Sequence, residues 1–271
     1  MYYFIFLASV LFFPSVKALS ILLPLWSWPD TWQPVYSAIE GSPNVLWQIV
    51  INPNSGPDTT GDHPAKPDYA AGVAKLNTYH NVILIGYVRT QYMQRSNDTV
   101  KTDVNTYASW NSYQPQNVSI AGIFFDEVTG KDAYNDQVQA YYGGLSAHVK
   151  STFKSTVKPV VFNPGALGPE PLFGVCDVMI EFEGWAKEYQ DPSTIAKFPS
   201  GQLSKVGIMA YNTEALPMSV PQAVHGMAQK GIGTVFFDYV YVAGSEGKPT
   251  GNYKTFRLED LKLLADAVAA G

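Results

Sequence analysis

Eight short apolar runs, most of them followed by a segment of helical character, constrain this chain more than any other feature. They are Ile21–Leu25, Val45–Ile51, Val82–Val88, Ile120–Phe125, Lys158–Phe162, Val178–Glu183, Val206–Ala210 and Thr234–Phe237. The fourth, Ile120-Ala-Gly-Ile-Phe-Phe125, does not alternate with polar residues, so such a strand has to be covered on both faces, as in a parallel sheet. Helices are expected over Gln33–Glu40, Asp68–Tyr79, Val100–Trp110, Ala133–Phe153 (interrupted at Gly143-Gly144), Trp185 to Lys197, Pro221–Gln229 and Leu258–Ala269. The last would present Leu261, Leu263, Leu264 and Val268 as its apolar face. Strands alternating with helices imply a parallel sheet. Eight such repeats in about 250 residues fit a single (β/α)8 TIM barrel. The competing doubly wound sheet would carry a glycine-rich phosphate loop after its first strand, and Trp26-Ser-Trp28-Pro29 is not one. No linker, charge run or internal repeat divides the chain, so the barrel is expected over 19–271 as one catalytic domain.

Residues 1–18 read differently. Met1-Tyr-Tyr-Phe-Ile-Phe-Leu-Ala-Ser-Val-Leu-Phe-Phe13 is a short apolar run, and Val16 and Ala18 are the small residues wanted before a cleavage site. The run is too short for a comfortable membrane span, and it predicts a secretory signal cut after Ala18, with an uncleaved anchor as the alternative. The sequons Asn97-Asp-Thr99 and Asn117-Val-Ser119 fit an extracellular or cell-wall destination. A net charge of −5 without any Lys/Arg run argues against a nucleic-acid partner. A lone Cys176 excludes an intrachain disulfide and a cysteine metal site, and the four histidines have no metal-ligand spacing. No metal and no cofactor is expected.

In a barrel the polar residues at the strand C-termini converge on one face. Here they are Asn52, Asn54, Arg89, Asp126, Glu127, Asn163, Glu181, Glu183, Tyr211, Asn212 and Asp238, joined by Trp26, Trp28, Tyr87, Trp185 and Tyr239. Each has a plain structural alternative. Asp126 would cap the next turn, Asn163, Asn212 and Asp238 would do turn or cap work, and Glu181 would form a buried ion pair with Arg89 or Lys205. The aromatic residues would be core rather than stacking platforms for a sugar. Nucleophile motifs such as Gly-x-Ser-x-Gly are absent. What remains is one carboxylate group after the fourth strand and one after the sixth, which is the equipment of glycoside hydrolysis. Asp126 and Glu127 are adjacent on an extended strand and begin toward opposite faces, so only one shares the axis direction unless the strand has ended by then. Glu183 lies nearer the rim than Glu181.

Several of these stretches together resemble the spherulin 4-like family. They are Leu23-Pro-Leu-Trp-Ser-Trp-Pro29, Ile51-Asn-Pro-Asn-Ser-Gly-Pro57, Gly86-Tyr-Val-Arg-Thr90, Gly122-Ile-Phe-Phe-Asp-Glu127, Phe162-Asn-Pro-Gly165 and Phe182-Glu183, in order from about Leu22 to Asp238. Asn-Pro-Asn-Ser-Gly-Pro and Gly-Ile-Phe-Phe-Asp-Glu are the specific signals. Fungal members, glycoside hydrolase family 135, are (β/α)8 barrels that cleave α-1,4-linked N-acetylgalactosamine in galactosaminogalactan, a cell-wall and biofilm polysaccharide. The resemblance implies Asp126, Glu127 and Glu183 as the essential acids: Asp126 the nucleophile, Glu183 the acid/base and Glu127 assisting. It implies a polysaccharide partner and a monomer. The chain departs from many relatives at Trp26-Ser-Trp28, where a Tyr-rich stretch is expected, and at Glu181, where an apolar residue is expected. Both departures bear on substrate preference, and an additional carboxylate at 181 would favour deacetylated, cationic galactosamine. The non-catalytic alternative is a wall or developmental protein that binds glycans through the aromatic rim.

Overall fold

The computed structural model describes residues 19–238, 241–243, 249–251 and 256–271. All eight apolar runs form strands: β1 (Ser20–Leu25), β2 (Trp47–Ile51), β3 (Val82–Arg89), β4 (Gly122–Asp126), β5 (Val160–Asn163), β6 (Val178–Trp185), β7 (Val206–Tyr211) and β8 (Thr234–Asp238). They pair in parallel in sequence order, and β8 closes on β1 through Ser20↔Thr234 and Ile21↔Val235. The sequence reading of a single eight-stranded barrel therefore holds. The absence of alternation follows from the architecture. One face of each strand fills the barrel and the other meets a helix, so β1, β2, β5, β7 and β8 are buried along their whole length.

Around the barrel lie α1 (Gln33–Gly41), α2 (Pro67–Leu76), α3 (Asn97–Ser109), α4 (Asp136–Thr152), α5 (Val220–Gln229) and α6 (Leu258–Ala270). Side-chain caps fix three starts. Ser96 Oγ accepts from Thr99 N, Asn135 from Gln137 N and Val138 N, and Ser219 forms a reciprocal box with Gln222. Gly86 on β3 lets α3 sit close. A Cβ there would lie 2.6 Å from the Tyr107 ring, whose hydroxyl donates to Ile51 O at 2.9 Å.

Three expectations need correction. α4 runs unbroken through Gly143-Gly144, because two glycines cost about 2 kcal/mol relative to alanine, and the Asn135 cap and the buried Val138, Tyr142, Leu145 and Val149 offset that. The segment after Trp185 holds only 3-10 turns, Ala186–Glu188 and Ile195–Lys197, since Pro192 interrupts any longer helix. The link from β5 to β6 likewise contains a 3-10 turn, Glu170–Gly174. Leu263 is 40% exposed, and the face that α6 buries is Leu261, Leu264, Ala265, Ala267 and Val268. Of the six tryptophans, Trp32, Trp47 and Trp110 are fully buried core. No helix among the described residues is long and apolar enough to cross a membrane, and residues 1–18 and Tyr239 lie outside the described residues.

Candidate active site

The strand registry assembles the site. Arg89 of β3 stands opposite Asp126 of β4, which stands opposite Asn163 of β5. β4 ends at Asp126, and Glu127 takes a left-handed backbone with φ of 54°. That resolves the problem of two adjacent carboxylates. A left-handed residue turns the chain, so Glu127 does not have to point away from Asp126 as it would on a continuing strand. The conformation costs a non-glycine residue about 1–2 kcal/mol and needs outside support. Thr90, fully buried, supplies it: its hydroxyl donates to Glu127 O at 2.7 Å and its N–H donates to Asp126 O at 3.0 Å. Glu127 Oε2 then accepts from Arg89 Nε at 2.8 Å.

Asp126 and Glu183 share one donor. Asn163, 2% exposed, donates through Nδ2 to Asp126 Oδ1 at 2.9 Å and to Glu183 Oε2 at 2.7 Å. Two bonds from one nitrogen leave those oxygens no more than about 5.6 Å apart, which falls with the ~5–5.5 Å of retaining glycosidase pairs rather than the ~6.5–9.5 Å of inverting ones. Tyr87 donates its hydroxyl to the other Asp126 oxygen at 2.6 Å, and Tyr211 donates to the other Glu183 oxygen at 2.5 Å. Burial raises the pKa of Asp126 above the ordinary carboxylate range, opposed by the Tyr87 hydroxyl, the Glu127 N–H and the Asn163 amide. Burial also raises Glu183, with the Asp126 charge adding to it and Tyr211 and Asn163 opposing. Burial, reinforced by the adjacent Asp126 charge, keeps Tyr87 firmly protonated as a donor.

Glu181 has a different fate. The β6–β7 register passes from Ile180↔Gly207 to Phe182↔Ile208, which leaves Glu181 as the extra residue of a β-bulge. Its carboxylate, 4% exposed, accepts from Gly168 N at 2.9 Å, and a Cβ on Gly168 would come within 2.9 Å of the same oxygen. Burial pushes its pKa up to about 7, opposed by that N–H and by the charge of Lys131. The expected ion pair with Arg89 or Lys205 is not formed. Arg89 is taken by Glu127, and Lys205 Nζ donates to the carbonyls of Phe173 and Cys176. Glu181 is thus buried and held by a backbone N–H, whereas Glu183 shares the Asn163 amide with Asp126.

The remaining rim residues divide. Tyr87, Arg89, Asn163 and Tyr211 contact the acids directly. Asn52 does turn work, its Oδ1 accepting from Gly56 N at 3.0 Å, and Asn212 sits in a left-handed turn with φ of 57°. Asn54 is exposed on the loop after β2 that also carries Asn52. Asp238 is buried at the end of β8, opposite Tyr211, and its carbonyl accepts from the Thr213 hydroxyl. Trp26 packs edge-on to Tyr87 at 5.6 Å between centroids, Trp28 is 47% exposed, and Lys187 Nζ lies 5.7 Å over the Trp185 ring. Thr90 and Tyr142, whose hydroxyl accepts from Thr129 N at 3.0 Å, went unread in the sequence. A Thr directly after the strand-end Arg89 was the one signal for the first. The described residues contain no cluster able to hold a metal ion.

Comparison with known proteins extends this geometry. Spherulin-4 of Physarum polycephalum is 28% identical over 252 residues, covering 89% of this chain and 68% of that protein. The crystal structure of Aspergillus clavatus Sph3 in complex with GalNAc superposes with a TM-score of 0.80 at 25% identity, covering 93% of this chain and 98% of the other. A β-1,4-D-mannanase from Cryptopygus antarcticus, TM-score 0.56 and 8% identical over 93% of this chain and 91% of its own, shares the barrel alone. The family model of spherulation-specific family 4 matches residues 20–268, nearly the whole barrel from β1 to α6, and the chain belongs to that family.

Proposed function

We propose that this protein is a secreted, endo-acting glycoside hydrolase that cleaves α-1,4-linked N-acetylgalactosamine or galactosamine in a fungal exopolysaccharide by a retaining route. The observation that carries the reading is the Asn163 amide shared by Asp126 and Glu183. Two carboxyl groups this close do not both ionise cheaply, so one holds a proton at working pH. Asp126 accepts from three donors and Glu183 from two, so the anion is Asp126 and the acid is Glu183. Asp126 then attacks the anomeric carbon while Glu183 protonates the departing glycosidic oxygen. In the second half-reaction the Glu183 carboxylate takes a proton from water, which attacks the glycosyl–Asp126 ester. Glu127, oriented by Arg89, places a fixed negative charge beside the positive charge that develops on the sugar ring. The choice of hexosamine rests on the family resemblance and on the GalNAc held by the similar Sph3. The secretory reading rests on residues 1–18.

The test is reducing-end release from purified galactosaminogalactan, run beside chitin and galactan, with wild type and Asp126→Asn. Release only by wild type and only from the first polymer is expected. A non-catalytic glycan-binding role is the second reading, favoured by the exposed Trp28 ring at the mouth of β1. Polymer binding without release by wild type would select it and end the hydrolase assignment.

A further inference from the structure

The turn after β3 concentrates unusual backbone. Gln91, Tyr92 and Met93 have φ of 53°, 51° and 70°, three successive non-glycine residues in the left-handed region. L-residues visit that region singly, so a run of three persists only where its surroundings hold it. The support here is dense. Tyr92 N–H donates to Glu127 O at 2.8 Å, the carbonyl of the strained catalytic-rim residue itself. Arg95 donates through Nη1 to Arg89 O at 2.7 Å, pairs with Asp103 at 2.7 Å, and accepts at its own carbonyl from the Tyr141 hydroxyl at 2.7 Å. The turn is therefore built against the acids and braced from α3 and α4.

What it displays is one ring. Tyr92 is 56% exposed, more than Trp28, so folding leaves most of an aromatic side chain in water. The ring is nonetheless within the electrostatic reach of Glu127, Asp126 and Glu183, whose charges, after partial burial, raise the pKa of its hydroxyl. Gln91, the residue before it in the same turn, lines a polar recess of about 290 Å³ with Asn54, Gly56, Arg89, Arg95 and Asp103. Both arginines in that recess are already ion-paired, Arg89 to Glu127 and Arg95 to Asp103, so it has hydrogen-bonding capacity without a net charge to offer. An exposed ring with a flat apolar face, next to a neutral polar recess, matches a pyranose with one apolar face and a hydroxyl- or amide-bearing edge.

We propose that Tyr92 is the stacking platform of a subsite for the sugar adjoining the scissile unit, and that the recess lined by Asn54, Gln91, Arg89 and Arg95 receives that sugar's polar edge. The ligand class is a neutral pyranose, an N-acetylated unit rather than one with a free amine. This rests on the hydrolase reading above and specifies which surface the polymer crosses. The experiment measures kcat and KM on α-1,4-linked N-acetylgalactosamine oligomers of increasing length for wild type, Tyr92→Ala, Tyr92→Asn and Tyr92→Phe, with a melting curve for each. Asparagine tolerates left-handed backbone, so it separates loss of the ring from loss of the turn. Tyr92→Ala and Tyr92→Asn should raise KM at least tenfold on the longer oligomers and leave the shortest hydrolysed one unchanged. Tyr92→Phe should behave as wild type, and the melting temperatures should coincide. Unchanged KM in both ring-deleted variants, or a Phe variant as impaired as Ala, would overturn the platform alone. Wild type inactive on every length would overturn the hydrolase reading and the platform with it.

Discussion

Glu181 and Glu183 stand two residues apart on one strand, carry the same side chain and are both pushed up in pKa by burial, yet only Glu183 shares a donor with a second carboxylate. The bulge at Glu181 takes it out of the ladder and gives its carboxylate to the backbone N–H of Gly168. Glu183 instead meets the side chains of Asn163 and Tyr211, and through Asn163 it meets Asp126. Burial alone therefore does not make a catalytic acid. What distinguishes the site is a second carboxylate held on the same donor, so that the protonation of one group depends on the charge of the other.

The sharpest way to break this contrast is to neutralise each glutamate in turn. Glu183→Gln removes the proton donor and should lower kcat/KM roughly a thousandfold, in the range for general acid–base groups. Glu181→Gln keeps an acceptor for Gly168 N and should leave turnover within about threefold, since it touches none of the reacting groups. Initial rates on the same polymer, with folding checked by circular dichroism, decide it. Comparable losses in both variants would mean that the bulge does not separate the two roles.

Stability reports on Glu181 directly. Burial pushes the Glu181 carboxyl from its ordinary 4.5 up to about 7 in the folded state. The folded state then binds more protons than the unfolded one between those values, so stability falls as pH rises through that window. The shift corresponds to a loss of order 3 kcal/mol above pH 7 relative to pH 4. Glu181→Gln cannot ionise and should abolish that part of the decline, so the variant gains on wild type as pH rises. Denaturant midpoints at pH 4.5, 6 and 8 measure it, and a constant difference across the three would show that Glu181 titrates alike in the folded and unfolded protein, with no shift from burial.

These two glutamates also mark the limit of what was legible from sequence. Eight apolar runs without alternation are long-range patterns that only a two-sided sheet satisfies, so β1 to β8 and their C-terminal rim could be read directly. Spacing placed Glu183 nearer the rim but carried no sign of the bulge, because Ile180-Glu-Phe182 has no local signature of an additional residue. The left-handed turn at Glu127 was equally hidden, being enforced by Thr90 and Tyr92 of the turn after β3 rather than by its own side chain. Asn163 was ambiguous between turn and site for a concrete reason: it does both, its Oδ1 accepting from Gly165 N at 3.1 Å while its Nδ2 bridges the acids. Asn52 and Asn212 both sit in turns, Asn52 Oδ1 accepting from Gly56 N and Asn212 taking a left-handed backbone.

Asn163 is consequently the residue through which the contrast is tested most finely. Its amide donates to charged forms of both carboxyl groups, and a donor to the ionised form lowers a pKa. Asn163→Ala removes that donor from both at once and leaves the acids to face each other without it. In the proposed mechanism Asp126 is ionised and Glu183 protonated, so the acidic limb of the kcat/KM profile should report Asp126 and the basic limb Glu183. Both limbs should move to higher pH, and the maximum should drop roughly tenfold to a hundredfold, as expected for losing a charge-assisted hydrogen bond on each group. Glu183→Gln would lower turnover about a thousandfold and tell nothing about the coupling, whereas Asn163→Ala keeps both acids and removes the amide that joins them, together with its bond to Gly165 N. Limbs that stay in place would mean that Tyr87 and Tyr211 set the two protonation states independently, and that the shared amide aligns the carboxylates without coupling them.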